Sequence, residues 1–373
     1  MGSGQTIYEY ARERLEESGE AGELMRRHAE YYLALAERAE PEFRGPQEVY
    51  WLERLEEEHD NLREAMGWAL RSGDGELGLR LAGALWWFWY KHGHLEEGRQ
   101  WLEAVLAGGG HHKSLRAKAL NGPGALARSQ GDCNRAGTLL GESLTLRREL
   151  ADRVGVAQVL NNLGGLAMDH GDYSEAGKLF LECLDLRREV GDKWGTARAL
   201  SNLAATSRLL GDYPNAAASG MEGLALMREL RDRAGIAQSL SNLGDVAIDQ
   251  GDYERAGALY AESIAAYREV SDQVGVAWCF EGLARVARAK NEPGRMVRLL
   301  GTAEVLRAGA GAPLPRNLRP EYERDLTDAR TRLGEAIFET AWEEGRAMTL
   351  EEAVAHALEW DEAITGESRG GGR

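Results

Sequence analysis

Apolar and small residues recur every three or four positions along most of the chain, and the recurrence itself repeats. In "NNLGGLAMDHGDYSEAGKLFLECLDLRREVGD" (161–192) one stripe runs from Leu160 through Leu163 and Gly164 to Ala167. A second passes through Ala176, Leu179, Phe180, Cys183 and Leu184. Spacing of this kind puts each stripe on one face of a helix. Gly171, between the stripes, suits the residue just past a helix end, where a left-handed backbone is costly for any side chain. Asp172 follows as N-cap of the next helix. The block returns at 201–232 and 241–272; Gly-Asp recurs at 131, 171, 211 and 251, and a further Asp at 152, 192, 232 and 272. Two caps repeating every forty residues predict an all-α chain, an α-solenoid of antiparallel helix pairs. No segment shows the alternation and β-branched enrichment of strands.

The pattern also sets boundaries. It predicts two helices at 20–40 and 46–72, separated by "EPEFRGP", and three closing helices at 322–334, 335–346 and 349–359. The last opens on a capping box, Thr349 with Glu352. The expected organisation is a start segment at 1–18, an N-terminal helical cap at 19–72, a first repeat at 73–107 and a Gly/His linker at 108–115. Repeats follow at 116–308, then capping helices at 309–361 and a disordered tail at 362–373. Pro123 falls inside a first helix, where its counterparts are Leu163, Leu203 and Leu243. Interior proline costs about 3 kcal/mol, so that helix is expected to kink or to begin late, and the bend would adjoin the linker as a hinge.

The stretch "ALWWFWYKHGHLEEG" (84–98) fits the same frame. Aligning Gly93 with Gly171 places Asp74 over Asp152 and Leu102 over Phe180. Trp86 and Trp89 then point inward, where later repeats carry Gly or Ala, and are expected in the core. Trp87 and Tyr90 lie on the other face, either covered by preceding helices or open to a ligand.

Composition narrows the function. A formal charge of −16 argues against nucleic acid as a partner of this chain alone. The longest uncharged apolar run, "LAGALWWFWY", is about half a bilayer span, so no membrane insertion is expected. Cys133, Cys183 and Cys279 form no CxxC pair, which fits reduced thiols in a cytoplasmic protein. "MGSGQT" lacks the basic and apolar regions of a signal peptide; it loosely fits a myristoylation pattern and reads more simply as a cloning remnant ahead of an excised fragment.

Two resemblances add to this. Small residues at Gly164, Ala204, Gly244 and Ala284, with Ala176, Ala216 and Ala256, resemble the tetratricopeptide repeat, whose usual period is 34 residues. The six extra residues are expected in the second helix and its loop. The N-terminal "TIYEYARERLEESGE", "RRHAEYYLALAERAEP" and "WLERLEEEHDNLREAMGWAL", with the closing "AWEEGRAMTLEEAVAHALE", resemble bacterial STAND-class ATP-dependent transcriptional regulators of the LuxR, AfsR and MalT type. The resemblance implies a non-catalytic sensor arm that binds a peptide, a protein or a small inducer. It also implies ATPase and DNA-binding domains elsewhere in the full-length protein. This chain has no GxxxxGK[ST] phosphate loop, so neither nucleotide nor another cofactor is expected here.

In a two-helix solenoid the first helices line the groove. Their groove positions carry Gln158, Asn162, Arg198, Ser201, Asn202, Arg208, Gln238, Asn242, Asp245, Asp249, Trp278, Glu281, Arg285 and Arg288, joined by Trp87 and Tyr90 in the first repeat. An amide both donates and accepts, so Asn162, Asn202 and Asn242 are placed to pair with a peptide backbone, as the family resemblance implies, or else to bridge neighbouring helices. Arginine and acid are mixed along this face, which suits a polar peptide or partner helix better than a polyanion. His92, His94, His111 and His112 cluster at turns, but metal ligation needs donors brought in from elsewhere, so no metal site and no catalytic residue is expected. A free-standing peptide-binding scaffold is the alternative reading; an enzyme would need a pocket with converging titratable groups.

Overall fold

The computed structural model describes residues 20–44, 47–108, 112–312, 314 and 318–358. The expected segments at 1–18 and 362–373, and His111, lie outside them. Every regular element among the described residues is helical. The N-terminal unit, through Leu186, holds α1 (Ala21–Ala39), a 3₁₀ turn (Glu40–Arg44), α2 (Glu48–Glu57), α3 (His59–Ser72), α4 (Gly75–Lys91), α5 (Leu95–Ala107), α6 (Lys113–Ser129), α7 (Cys133–Glu149), α8 (Arg153–Asp169) and most of α9 (Tyr173–Glu189). The C-terminal unit, from Arg187, holds α10 (Lys193–Leu209), α11 (Tyr213–Leu230), α12 (Arg233–Asp249), α13 (Tyr253–Glu269), α14 (Gln273–Ala289), α15 (Pro293–Gly309), α16 (Arg319–Leu333), α17 (Glu335–Ala347) and α18 (Leu350–Leu358).

The caps are where the period puts them. Asp152, Asp172, Asp192, Asp232 and Asp272 each accept a hydrogen bond from a backbone N–H three residues on, at 2.8–3.0 Å. Gly131, Gly171, Gly211 and Gly251 close the first helices at φ 76–82°. Thr349 and Glu352 form the expected capping box, Thr349 N–H donating to Glu352 at 2.8 Å.

Within each pair the helices interlock by exchanging size across a single contact. A Cβ added at Gly124, Gly164 or Gly244 would lie 2.7, 2.5 or 2.9 Å from Leu140, Phe180 or Tyr260. Between α10 and α11 both sides of the equivalent contact are small, Ala204 and Gly220, and Leu243 of α12 fills the space instead, 2.7 Å from a Cβ added at Gly220. In the first repeat, Trp89 fills the space over Gly98, where an added Cβ would be 2.8 Å from the indole. A large side chain meets each glycine, from the partner helix or from the next repeat, which keeps the interior closely packed.

Charged side chains link successive repeats at regular spacings. Arg148–Glu182, Arg188–Glu222 and Arg228–Glu262, each 34 residues apart, pair at 2.6–2.7 Å. Within single repeats, Lys113–Glu149 and Arg233–Glu269, each 36 apart, tie the start of the first helix to the end of the second at 2.9 Å. These exposed pairs add little stability singly, but they mark the stacking register on the outer faces.

Three expectations need correction. The helix expected at 46–72 is two helices, α2 and α3, parted at Glu58 (φ −100°, ψ 11°). The Glu58 carboxylate accepts from Asn61 at 2.7 Å and from the Tyr32 hydroxyl at 3.0 Å, and these side-chain bonds hold the break without Pro or Gly. Of the two outcomes expected at Pro123, the late start is excluded: α6 already begins at Lys113 and runs to Ser129 with the proline inside it. Gly122 and Gly124 flank the proline and fit against Trp86 and Leu140, too close for a Cβ, so packing on both sides offsets the lost hydrogen bond. Of the two tryptophans expected in the core, Trp89 is buried and Trp86 is only half-buried.

Candidate functional site

The first helices of the C-terminal unit, α10, α12 and α14, pack side by side, which sets their outward residues on one face. The forty-residue period puts an asparagine of one helix beside the residue 41 positions earlier on its neighbour. Asn242 Nδ2 donates to Ser201 Oγ at 3.0 Å, while its Oδ1 accepts from Gln238 at 3.0 Å. Gln238 Oε1 in turn accepts from the Tyr267 hydroxyl at 3.3 Å. Asn202 is half-buried on the same face and is also engaged.

Most charges on this face are neutralised within it. Arg208 pairs with Asp249 at 2.8 Å, and Arg288 pairs with Asp325 at 2.7 Å and Glu321 at 3.1 Å on α16. Arg285 pairs with Asp245, which also accepts from the Tyr260 hydroxyl at 2.5 Å. Burial pushes the Tyr260 phenol well above its ordinary range, and the Asp245 charge adds to this. Burial works against the Arg285 charge, but Asp245 more than restores it. Arg198 lies over the Trp194 ring at 4.9 Å. Trp278 remains 42% exposed, with the Arg307 guanidinium 5.4 Å from its ring centroid. Arg307 is itself bonded twice to Glu281, at 2.5 and 2.9 Å.

Beside Trp278 the sequence reading missed a cleft of about 470 Å³ lined by Glu281, Glu304, Arg307, Leu314 and Tyr322. Burial raises the Tyr322 phenol above its ordinary range and leaves it a neutral donor. Most of these residues come from α15, α16 and the chain between them, which carry no repeat signature, so the period could not reveal them.

Four of the expected groove residues belong to the N-terminal unit. Asn162 Nδ2 donates to Asn121 Oδ1 at 2.9 Å, again bridging residues 41 apart, and Gln158 is half-buried. Trp87 is half-buried, donates from Nε1 to Glu48 at 3.1 Å and carries Lys91 5.3 Å from its ring centroid. Tyr90 is open, its ring 5.4 Å from that of Trp87. Cover by the preceding helix thus falls on the tryptophan and leaves the tyrosine out.

The same unit gathers titratable groups that the sequence left scattered. Glu56, at the end of α2, lies 2.9 Å from His94 Nε2 and 3.3 Å from His92 Nδ1. His59, at the start of α3, is 4.3 Å from the His94 ring. Burial lowers the His59 imidazole and holds it neutral. Burial acts to raise the Glu56 carboxyl, but the bond from His94 and the histidine charges bring it below its usual range. Arg63, with two bonds at 2.6 and 2.7 Å, holds the neighbouring Glu97 carboxyl down to about 2.

Thiol chemistry is muted by the same packing. Cys183 and Cys279 are buried, and burial pushes the Cys279 thiol up to about 12. In the folded chain at pH 8, iodoacetamide is therefore expected to label Cys133 at least ~100-fold faster than Cys279, because the thiolate is the nucleophile. Mass spectrometry of a time course checks this; equal rates would contradict the packing described.

Residues 155–229 and 235–295 match the family model of the tetratricopeptide repeat. The forty-residue units within these two stretches are tetratricopeptide repeats. A "Putative HTH-type transcriptional regulator" of Mycobacterium tuberculosis is 36% identical over 122 residues, and one of Mycobacterium bovis matches equally. The matched part is 31% of this chain and 14% of those relatives, so the chain spans a small fraction of their length. Among solved structures, the apo form of RapI superposes with a TM-score of 0.57 at 13% identity, over 92% of this chain and 99% of that one. A Rap protein complexed with Competence and Sporulation Factor gives 0.55 at 15% identity, over 83% and 80%. At these identities the likeness is one of fold. It agrees with the helix-pair solenoid that the tetratricopeptide repeats build here.

Proposed function

We propose that this chain is the sensing arm of a signal-transducing transcriptional regulator, and that it binds a peptide, a protein or a small inducer on the first-helix face of the C-terminal unit. The observation that carries this reading is the 36% identity to HTH-type regulators over a stretch of 122 residues. On this reading the ATPase and DNA-binding domains belong to the full-length cytoplasmic protein, and this acidic chain contacts neither nucleic acid nor membrane. No described helix is long and apolar enough to cross a bilayer.

The face supports binding without chemistry. Arg208, Arg285 and Arg288 already have acidic partners, so a ligand is recognised less by net charge than by shape, amides and an aromatic surface. Trp278 offers that surface, and Gln238 and Asn242 offer amides whose present bonds, to one another, to Ser201 and to Tyr267, can be exchanged for a peptide's. The neighbouring cleft at Glu281, Arg307 and Tyr322 would extend the same site. The fold of a Rap protein has been seen holding Competence and Sporulation Factor, which fits a bound-effector role.

Thermal unfolding of the chain against peptide and metabolite libraries tests the proposal. A ligand at 100 times its dissociation constant stabilises by about 2.7 kcal/mol, and Trp278→Ala with Asn242→Ala is expected to remove that shift while helicity is kept. A folded chain that no peptide or metabolite stabilises and that pulls down no protein partner would sink it. So would a shift indifferent to both substitutions.

A further inference from the structure

We propose that Glu56, His59 and His94 form a binding site for a divalent first-row transition-metal cation, with His92 as the nearest further donor. The three side chains come from the last turn of α2, the first turn of α3 and the turn between α4 and α5. One donor atom from each lies within 4.8 Å of the others. Zinc holds nitrogen and oxygen donors at about 2.0–2.2 Å in a tetrahedron, which sets neighbouring donors about 3.3–3.5 Å apart. The Glu56–His94 separation of 2.9 Å and the Glu56–His92 separation of 3.3 Å are already near that spacing.

The second observation concerns His59. It is 6% exposed, and its buried Nε2 has no hydrogen-bond partner; Glu97 Oε1 stands 3.3 Å away, off the line of a hydrogen bond. A buried imidazole nitrogen without a partner is costly, and neutral imidazole is the form that ligates a metal. The ring is held edge-on against buried Phe88, with centroids 5.2 Å apart. Glu97 is tied by Arg63 and by Trp101 Nε1 at 3.2 Å, so its carboxylate is engaged elsewhere and leaves the His59 nitrogen to a cation. Among the described residues Glu56 faces histidines and no Lys or Arg, which leaves its charge available to a cation. Two imidazoles and one carboxylate suit zinc and its neighbours in the series rather than calcium or magnesium. The parting of α2 and α3 at Glu58 gains a role here, because it turns Glu56 and His59 toward one point.

The chain is treated with chelator, then titrated with Zn²⁺ by calorimetry and with Co²⁺ by visible absorption. One equivalent of zinc is expected to bind, with Co²⁺ d–d bands and no thiolate charge-transfer band. His94→Ala and Glu56→Gln, at partly exposed side chains, are expected to abolish stoichiometric binding with helicity unchanged. Absence of stoichiometric binding in the unsubstituted chain overturns the proposal. So does binding that survives both substitutions, or a thiolate band that assigns the metal to cysteine.

Discussion

Tyr260→Ala is expected to destabilise the C-terminal unit by about 3–5 kcal/mol, the range for truncating a buried aromatic residue. Tyr260 is fully buried, and its ring packs on two glycines: a Cβ at Gly244 or Gly282 would come within 2.9 or 2.3 Å of it. The two glycine walls have no side chain to lean into the cavity, so the loss belongs in the upper part of the range. The hydroxyl is the smaller part. Tyr260→Phe leaves Asp245 paired with Arg285 and is expected to cost about 0.5–1.5 kcal/mol, one net hydrogen bond. Urea unfolding followed by far-UV circular dichroism measures both, with a fit that allows two transitions because repeat arrays need not unfold as one. Equal losses in the two variants would show that the ring is not what fills this interior.

Gly164→Ala is expected to cost the N-terminal unit about 1–3 kcal/mol, as overpacking does, although alanine is the better helix former. The added methyl would sit 2.5–2.8 Å from three atoms of the Phe180 ring, which is 1% exposed and enclosed. The chain itself shows the remedy: at the equivalent positions of the last repeat it carries Ala284 and Leu300, both buried. Adding Phe180→Leu to Gly164→Ala is therefore expected to recover part of the loss. The coupling between them should reach at least ~0.5 kcal/mol in a double-mutant cycle of urea midpoints. Strict additivity would mean that the two residues do not share one contact.

Much of this was legible because it is periodic. The Asp caps, the left-handed glycines and the small–large contacts are local events repeated every forty residues, so four imperfect copies of each reinforce one another in the sequence. The face carrying Asn202, Asn242, Arg208 and Trp278 was legible for the same reason. What the period could not say is how these residues spend their hydrogen bonds. Asn162 and Asn242 each give an amide proton to the preceding repeat, and the arginines are matched with Asp249, Asp245 and Asp325. Those pairings depend on rotamers and on the rise between stacked helices, neither of which a spacing rule contains.

Sequence alone thus determined the helix pairs, their caps and their order, since each follows from backbone preferences and burial within some forty residues. Only the tertiary structure decided the break at Glu58, the unbroken helix through Pro123 and the cleft beside Trp278. It alone brought Glu56 and His59 to His94, whose positions follow no repeat. In each of these, contacts between segments distant in the chain outweighed a local preference or joined residues that no local pattern relates.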